Sequence, residues 1–228
     1  MLQILDNPVW QALNSADSRF NLGDELVGYL PTEVSPFAAL PVWTKENQSI
    51  LCDRLPEGRS WSAMLKEKVV FSDQWELVFT TPLYQMICHK LIPVKNMDVD
   101  CRPLTTSHIP EMLSLTALTK PGPFGERTIE FGNYHGIFVN DQLVAMTGER
   151  LHLDAFTELS AVCTHPDHLG KGYAAYLVSK VAQMIVEEGK TPILHVRSDN
   201  DRAVKMYERL GFEIRSDIYF GVFKKKVQ

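Results

Sequence analysis

The sequence predicts a mixed α/β fold, and three observations carry that expectation. From residue 99 onward, strand-like and helix-like runs follow in the order β-α-(link)-β-β-β-α-β-α-β-β. Two helix-like runs each end on a glycine, Gly189 and Gly211, as left-handed helix stops require. Between them "PILHV" is a short apolar run with the length of a buried strand.

The elements justify themselves in turn. "CRPLT" is a short strand, and "SHIPEMLSLTALTK" follows with Ser107 as the expected N-cap and Pro110 in the first turn. Ile109, Met112, Leu113, Thr116 and Ala117 share one face of that helix, and "PGP" at 121–123 stops it. "YHGIFV" and "QLVAMTGERL" flank Asn140-Asp141, a hairpin signal. "ELSAVCT" (Glu158–Thr164) is a mostly apolar strand leading into "HLGKGYA". The next helix turns Ala174, Leu177, Val178, Val181 and Ile185 to the core. "SDND" (Ser198–Asp201) reads as a capping box opening a helix with Ala203, Val204, Tyr207 and Leu210. "FEIRS" and "IYFGVFKK" read as a final antiparallel pair.

Composition divides the chain near residue 98. All four tryptophans precede it, and ten of the thirteen glycines follow it. Residues 1–98 carry 8 basic and 12 acidic side chains, against 15 and 16 in residues 99–228. "IPVKNMDVD" (Ile92–Asp100) reads as the connector, so the expected domains are 1–98 and 99–228. In the first, "SWSAMLKEKVVF" reads as a helix and "WELVFTT" (Trp75–Thr81) as a strand.

Bulk properties narrow the classes. A formal net charge of −5 argues against bulk nucleic-acid binding. "MLQILDNPVWQAL" is broken by Asp6, Asn7 and Pro8 too early for a signal peptide, and no apolar run approaches the ~18 residues that span a bilayer. Cys52, Cys88, Cys101 and Cys163 form no metal or disulfide pattern, which fits a reducing cytoplasm. His165 and His168 have the spacing of a metal pair but lack a nearby third ligand, so no metal is expected.

The glycine turn "HLGKGYA" asks for a phosphate, because a helix N-terminus presents unpaired N–H groups and a partial positive charge. A P-loop would need Lys then Ser or Thr after the second glycine; Lys171 instead precedes Gly172. "GKGYAA" does match a dinucleotide fingerprint. However, "HPDHL" is too long for the tight strand-to-helix turn, and too little chain follows Asp199 to complete that fold.

"AVCTHPDHLGKGYAAYLV" followed by "LHVRSDNDRAVKMYERLGF" resembles the GNAT superfamily of acyl-CoA-dependent N-acyltransferases over roughly residues 99–228. The small residues of that family's turn motif fall on Gly172 and Ala174. Its later signature falls on Asn200, Ala203, Tyr207, Gly211 and Phe212, while Leu169 stands where the family has Gln or Arg. The resemblance implies a mixed central sheet flanked by helices, with acetyl-CoA as acyl donor. The cofactor would lie against Leu169, Gly170, Lys171, Gly172, Tyr173 and Ala174, and Asn200 and Tyr207 would contact it. The backbone of Val162, Cys163 and Thr164 would pair with the pantetheine arm. The arrangement of the two halves is similar to the branch that includes glycine N-acyltransferases. There the N-terminal part is a degenerate copy of the fold that shapes the acceptor site, so the resemblance implies a small-molecule amine or an amino acid as acceptor. A protein or peptide amine and an idle acyl-CoA-binding regulator are the alternatives, and a homodimer is left open.

The chemistry sets the roles. An amine with a pKa of about 10 must lose a proton, and a thiolate leaving group of pKa about 8.5 gains from receiving one. Glu158 is the expected base: the histone-acetylating branch of the superfamily carries a glutamate at the same spacing before the glycine matching Gly172. Glu149 on the preceding strand, or a water chain, is the rival. Tyr207 is the expected acid, one helical turn beyond Ala203.

Overall fold

The computed structural model describes residues 2–226. Its centre is one eight-stranded sheet, taken up by strands β3 (Ser60–Leu65), β4 (Trp75–Ile87), β5 (Asp100–Pro103), β6 (His135–Val139), β7 (Gln142–His152), β8 (Phe156–Thr164), β9 (Thr191–Arg197) and β10 (Glu213–Lys225). The spatial order is β3-β10-β4-β9-β8-β7-β6-β5. Neighbours run antiparallel except β8 and β9, which are parallel. A small ribbon, β1 (Gly28–Tyr29) with β2 (Ala38–Ala39), lies outside this sheet.

Helices cover both faces. Consecutive strand residues point to opposite faces, so Ala145 and Met146 of β7 belong to different layers. Ala145 packs with Leu177 of α4 (Tyr173–Glu187). Met146 packs with Met112 and Leu115 of α3 (Ile109–Thr119). Leu177, Val178, Val181, Ala182 and Ile185 recur on one side of α4 and are buried. Each such Leu, Val or Ile contributes roughly 1.5–3 kcal/mol on leaving water. Val204 and Tyr207 of α5 (Asp201–Arg209), with Leu210 at its C-terminal cap, join the same layer. Asn140 and Asp141 both adopt positive φ, 51° and 58°, giving the expected tight hairpin between β6 and β7.

The mixed α/β arrangement expected of residues 99–228 is present, with four local corrections there and one before it. "SWSAMLKEKVVF" opens with β3, not a helix: Trp61, Ala63 and Leu65 pack in one cluster and Met64 in another, so both strand faces are apolar and the period of two is hidden. The cap near α3 is Thr105, whose side chain and that of His108 close a capping box; Ser107 lies inside the 3₁₀ turn. The α3 core face uses Leu115, while Ala117 is exposed. Asn200, not the Ser198–Asp201 box, caps α5 by accepting from the Ala203 amide at 3.2 Å. The final pair is one continuous strand, β10, kinked by a register shift between Ile214 and Ser216 instead of turned.

The compositional boundary at 98 is not a break in space. β3 and β4 enter the same sheet as the later strands, and β4 lies between β10 and β9. α1 (Pro8–Leu13) and the residues before it bury Leu5, Val9 and Leu13 with Leu151, Phe156, Ile193 and Ile218. α2 (Lys45–Arg54) packs Leu51 and Cys52 beside Trp61 and Phe223. Through β3 and β4 the first 98 residues thus contribute two strands to the one eight-stranded sheet. No helix among the described residues is long and apolar enough to cross a membrane.

Candidate functional site

The site is made where two parallel strands part. β8 pairs β9 only from Phe156↔Thr191 to Leu159↔Leu194. Beyond Leu159 both strands continue, to Thr164 and Arg197, without pairing each other. The cause lies on the other edge of β8. Between the pairs Met146↔Cys163 and Gly148↔Ser160 the register shifts, and Ala161 takes a φ of 53°. An extra residue in one strand bends it and strengthens its twist, which steers β8 away from β9. A left-handed alanine is a strained conformation of the kind found at functional sites. The result is an apolar wedge whose β8 wall carries backbone N–H and C=O groups open to an extended ligand.

A cleft of about 930 Å³ runs through this wedge. Among the residues predicted from sequence, Val162, Cys163, Thr164, Leu169, Gly170, Gly172, Tyr173, Ala174, Asn200 and Tyr207 all line it. Lys171 and Glu158 do not.

One end of the cleft is the turn before α4. Gly170 and Gly172 have φ of 80° and 82°, values that side chains rarely adopt. A Cβ would have open space at Gly170 and only Met97 at 3.9 Å near Gly172, so backbone conformation, not crowding, calls for glycine. From Gly170 to Ala175 no backbone N–H donates within the described residues; the first bond of the helix is Tyr176 to the Gly172 carbonyl, 3.0 Å. Open N–H groups at the head of a fifteen-residue helix form an anion site. Arg197, Arg202 and Arg209 line the same cleft. The Lys171 ammonium meets the His168 ring at 3.3 Å.

Tyr207 lines the cleft and is 5% exposed. Burial raises its phenol pKa above the ordinary value, with the Cys163 thiol adding to the rise. It therefore holds its proton at neutral pH. Burial likewise pushes the Cys163 thiol up to about 11, so this thiol is a packing group and not a nucleophile. Asn200 spends its oxygen on capping α5; its amide nitrogen donates to no described residue.

At the other end, the structure corrects the expected role of Glu158. Its side chain is fully buried. Arg150 donates from Nε to Oε2 (2.9 Å) and from Nη2 to Oε1 (2.6 Å), and His195 Nδ1 donates to Oε1 (2.7 Å). Burial pushes this carboxyl up, but the Arg150 charge and the His195 contact outweigh it and hold the group at about 2. Such a carboxylate is a poor proton acceptor and does not face the cleft. His195 is fixed in turn by Gln85. The Gln85 oxygen accepts from Arg215 (2.6 Å), so its amide nitrogen donates to His195 Nε2 (3.0 Å). The rival Glu149 is also engaged, accepting from Asn133 (2.9 Å) and facing His152 Nε2 (3.1 Å), whose Nδ1 meets Asp17 (2.9 Å). Among the described residues, neither glutamate lines the cleft, and no other Asp or Glu does.

Sequence reasoning missed Arg150 and His195, which line the cleft at Glu158. It also missed the apolar floor of Met64, Phe79, Leu83 and Phe220. The register Met64↔Phe220↔Thr81 sets these side by side on adjacent strands. No short-range signal marks them, since they come from β3, β4 and β10. Among the described residues no three His, Cys, Asp or Glu side chains are placed to hold a metal ion.

Comparison with known proteins gives consistent findings. Residues 134–220 match the FR47-like protein family. A solved putative acetyltransferase from the GNAT family of Novosphingobium aromaticivorans is similar over 98% of this chain and 99% of that one, with TM-score 0.90 and 29% identity. A GCN5-related N-acetyltransferase from Kribbella flavida shares the fold over 96% of this chain and 94% of that one, at TM-score 0.63 and 20% identity. A mycothiol acetyltransferase of Corynebacterium aurimucosum is 44% identical over 64 residues, 28% of this chain. An acetyltransferase of Yersinia pestis is 36% identical over 58 residues, 25% of this chain. The matches span only 21% and 41% of those two relatives' lengths. The fold is the GNAT fold, a mixed sheet flanked by helices.

Proposed function

We propose that this GNAT-family chain, with its FR47-like segment at residues 134–220, moves an acetyl group from acetyl-CoA to the primary amine of a small molecule or amino acid. The observation that supports the reading most strongly is the parting of β8 from β9 beyond Leu159 and Leu194, in line with the open N-terminus of α4. An extended, amide-bearing arm suits the edge of β8 beyond Leu159 that β9 leaves unpaired. A diphosphate suits the N–H groups from Gly170 to Ala175, with the cleft's arginines adding positive charge.

Acyl transfer by direct attack then needs positioning, donors and a path for two protons. In this reading Tyr207 gives its proton to the departing thiolate, because burial keeps the phenol protonated beside the sulfur's path. The amine's proton passes to water in the open cleft, since no carboxylate lines it. Glu158 anchors Arg150 and His195 without touching substrate. Residues 2–98 act through β3 and β4, whose Met64, Phe79 and Leu83 form the acceptor floor.

Steady-state release of CoA from acetyl-CoA across a panel of primary amines tests the reading. The expected result is amine-dependent release with an equal amount of acetylated amine by mass spectrometry. Tight acetyl-CoA binding without release for any amine would make the chain a binding protein only.

A further inference from the structure

We propose that Arg150 reads an anionic group on the acceptor, so that the preferred acceptor is a carboxylate-bearing amine with an apolar body. The proposal rests on the acetyltransferase reading above and names the substrate class for the same cleft.

Arg150 is 7% exposed and lines the cleft. Its Nε and Nη2 are spent on Glu158. Its Nη1 donates to no described residue, yet it is not among the unpartnered side-chain nitrogens sealed from solvent. The spare donors of a nine-tenths buried guanidinium therefore open onto the cleft. Guanidinium is the side chain best suited to a planar carboxylate, and it stays charged under all ordinary conditions.

The fork is held in place before any ligand arrives. Glu158 grips two of its nitrogens, and the Phe37 ring lies 5.1 Å from its central carbon. A group fixed by such contacts loses little entropy on binding.

Its surroundings say what else the ligand carries. Phe37 meets Phe220 edge-on at 6.2 Å, and Phe220 pairs across the sheet with Met64 and Thr81. Arg150 thus sits beside the apolar floor, away from the turn at α4. The cleft is lined by Lys120, Arg150, Arg197, Arg202 and Arg209 and by no Asp or Glu among the described residues. A diamine's second ammonium would find no carboxylate there, whereas a carboxylate finds Arg150.

The test uses the intact protein with acetyl-CoA and three matched acceptors: leucine, leucinamide and isopentylamine. The account expects kcat/KM for leucine about 10- to 100-fold above either analogue, the range of a charge-assisted hydrogen bond. Arg150→Lys keeps a buried cation for Glu158 but loses the fork. Its leucine-to-leucinamide ratio should fall towards 1, through KM for leucine, with the melting temperature recorded alongside. Equal or faster transfer to leucinamide overturns the inference, as does an unchanged ratio in a folded Arg150→Lys variant. Transfer to a diamine or peptide but not leucine overturns it and leaves the acetyltransferase reading standing; transfer to no amine overturns both.

Discussion

At one end of the cleft, Gly170 and Gly172 turn the chain so that backbone N–H groups face outward, and no side chain is needed to hold an anion there. At the other end, Arg150, Glu158 and His195 are locked together by hydrogen bonds of 2.6–2.9 Å inside the protein. The first region is open, local and built from backbone. The second is largely buried, reaching the cleft only through Arg150 and His195, assembled from three strands and built from charge. The difference teaches where each kind of failure should appear: damage to the turn should cost ligand binding, and damage to the charged cluster should cost folding.

The largest expected effect tests that division at Glu158. Glu158→Gln leaves a buried Arg150 without its counter-charge, which typically costs 3–5 kcal/mol. Urea unfolding should show that loss. A rate defect with unchanged stability would instead return Glu158 to the role of base. The pH dependence follows from the same contact. The carboxyl lies at about 2 when folded against an ordinary 4.5, so its stabilisation is present above about 4.5 and fades as pH falls towards 2. Glu158→Gln should remove that part of the acid sensitivity.

At Tyr207, which lines the same cleft, the expected effect is catalytic. Tyr207→Phe keeps the ring and removes the proton donor. kcat should fall roughly 10²-fold with little change in KM for acetyl-CoA. A lowered melting temperature with near-normal kcat would make Tyr207 a packing residue.

A smaller effect sharpens the view that side-chain charge clamps the N-terminal segment. His152 lies between Asp17 and Glu149, and burial, which lowers its pKa, is outweighed by hydrogen bonds to those two carboxylates. The ring titrates at about 9 instead of 6.5, so its stabilisation is complete below about 6.5 and is lost as pH rises through 9. Thermal unfolding from pH 6 to 10 should show a decline of about 3 kcal/mol, flattened in His152→Asn. An identical decline in both proteins would assign it to other groups.

Legibility in the sequence follows the same division. The turn, α4, α5 and the tight hairpin were readable because glycines, caps and periodicity act over a few residues. Gly172, Ala174, Asn200 and Tyr207 all line the cleft. β3 was misread because both of its faces are buried, which erases the alternation that marks a strand. Glu158 was correctly placed on its strand but not in its chemistry. Its partners Arg150 and His195 lie 8 and 37 residues away, and nothing in the string "FTEL" announces them. The boundary at 98 reflected a real change of composition, but strands from both sides interleave in one sheet.

The central claim is that the turn at Gly170–Ala174 holds the diphosphate of acetyl-CoA, and calorimetric titration of acetyl-CoA into the parent protein and Gly172→Glu tests it most directly. The substitution puts a side chain at a φ of 82° and a negative charge at the head of α4. The account predicts an affinity at least about 100-fold weaker in a variant that still unfolds cooperatively. Unchanged affinity in that folded variant would contradict the site.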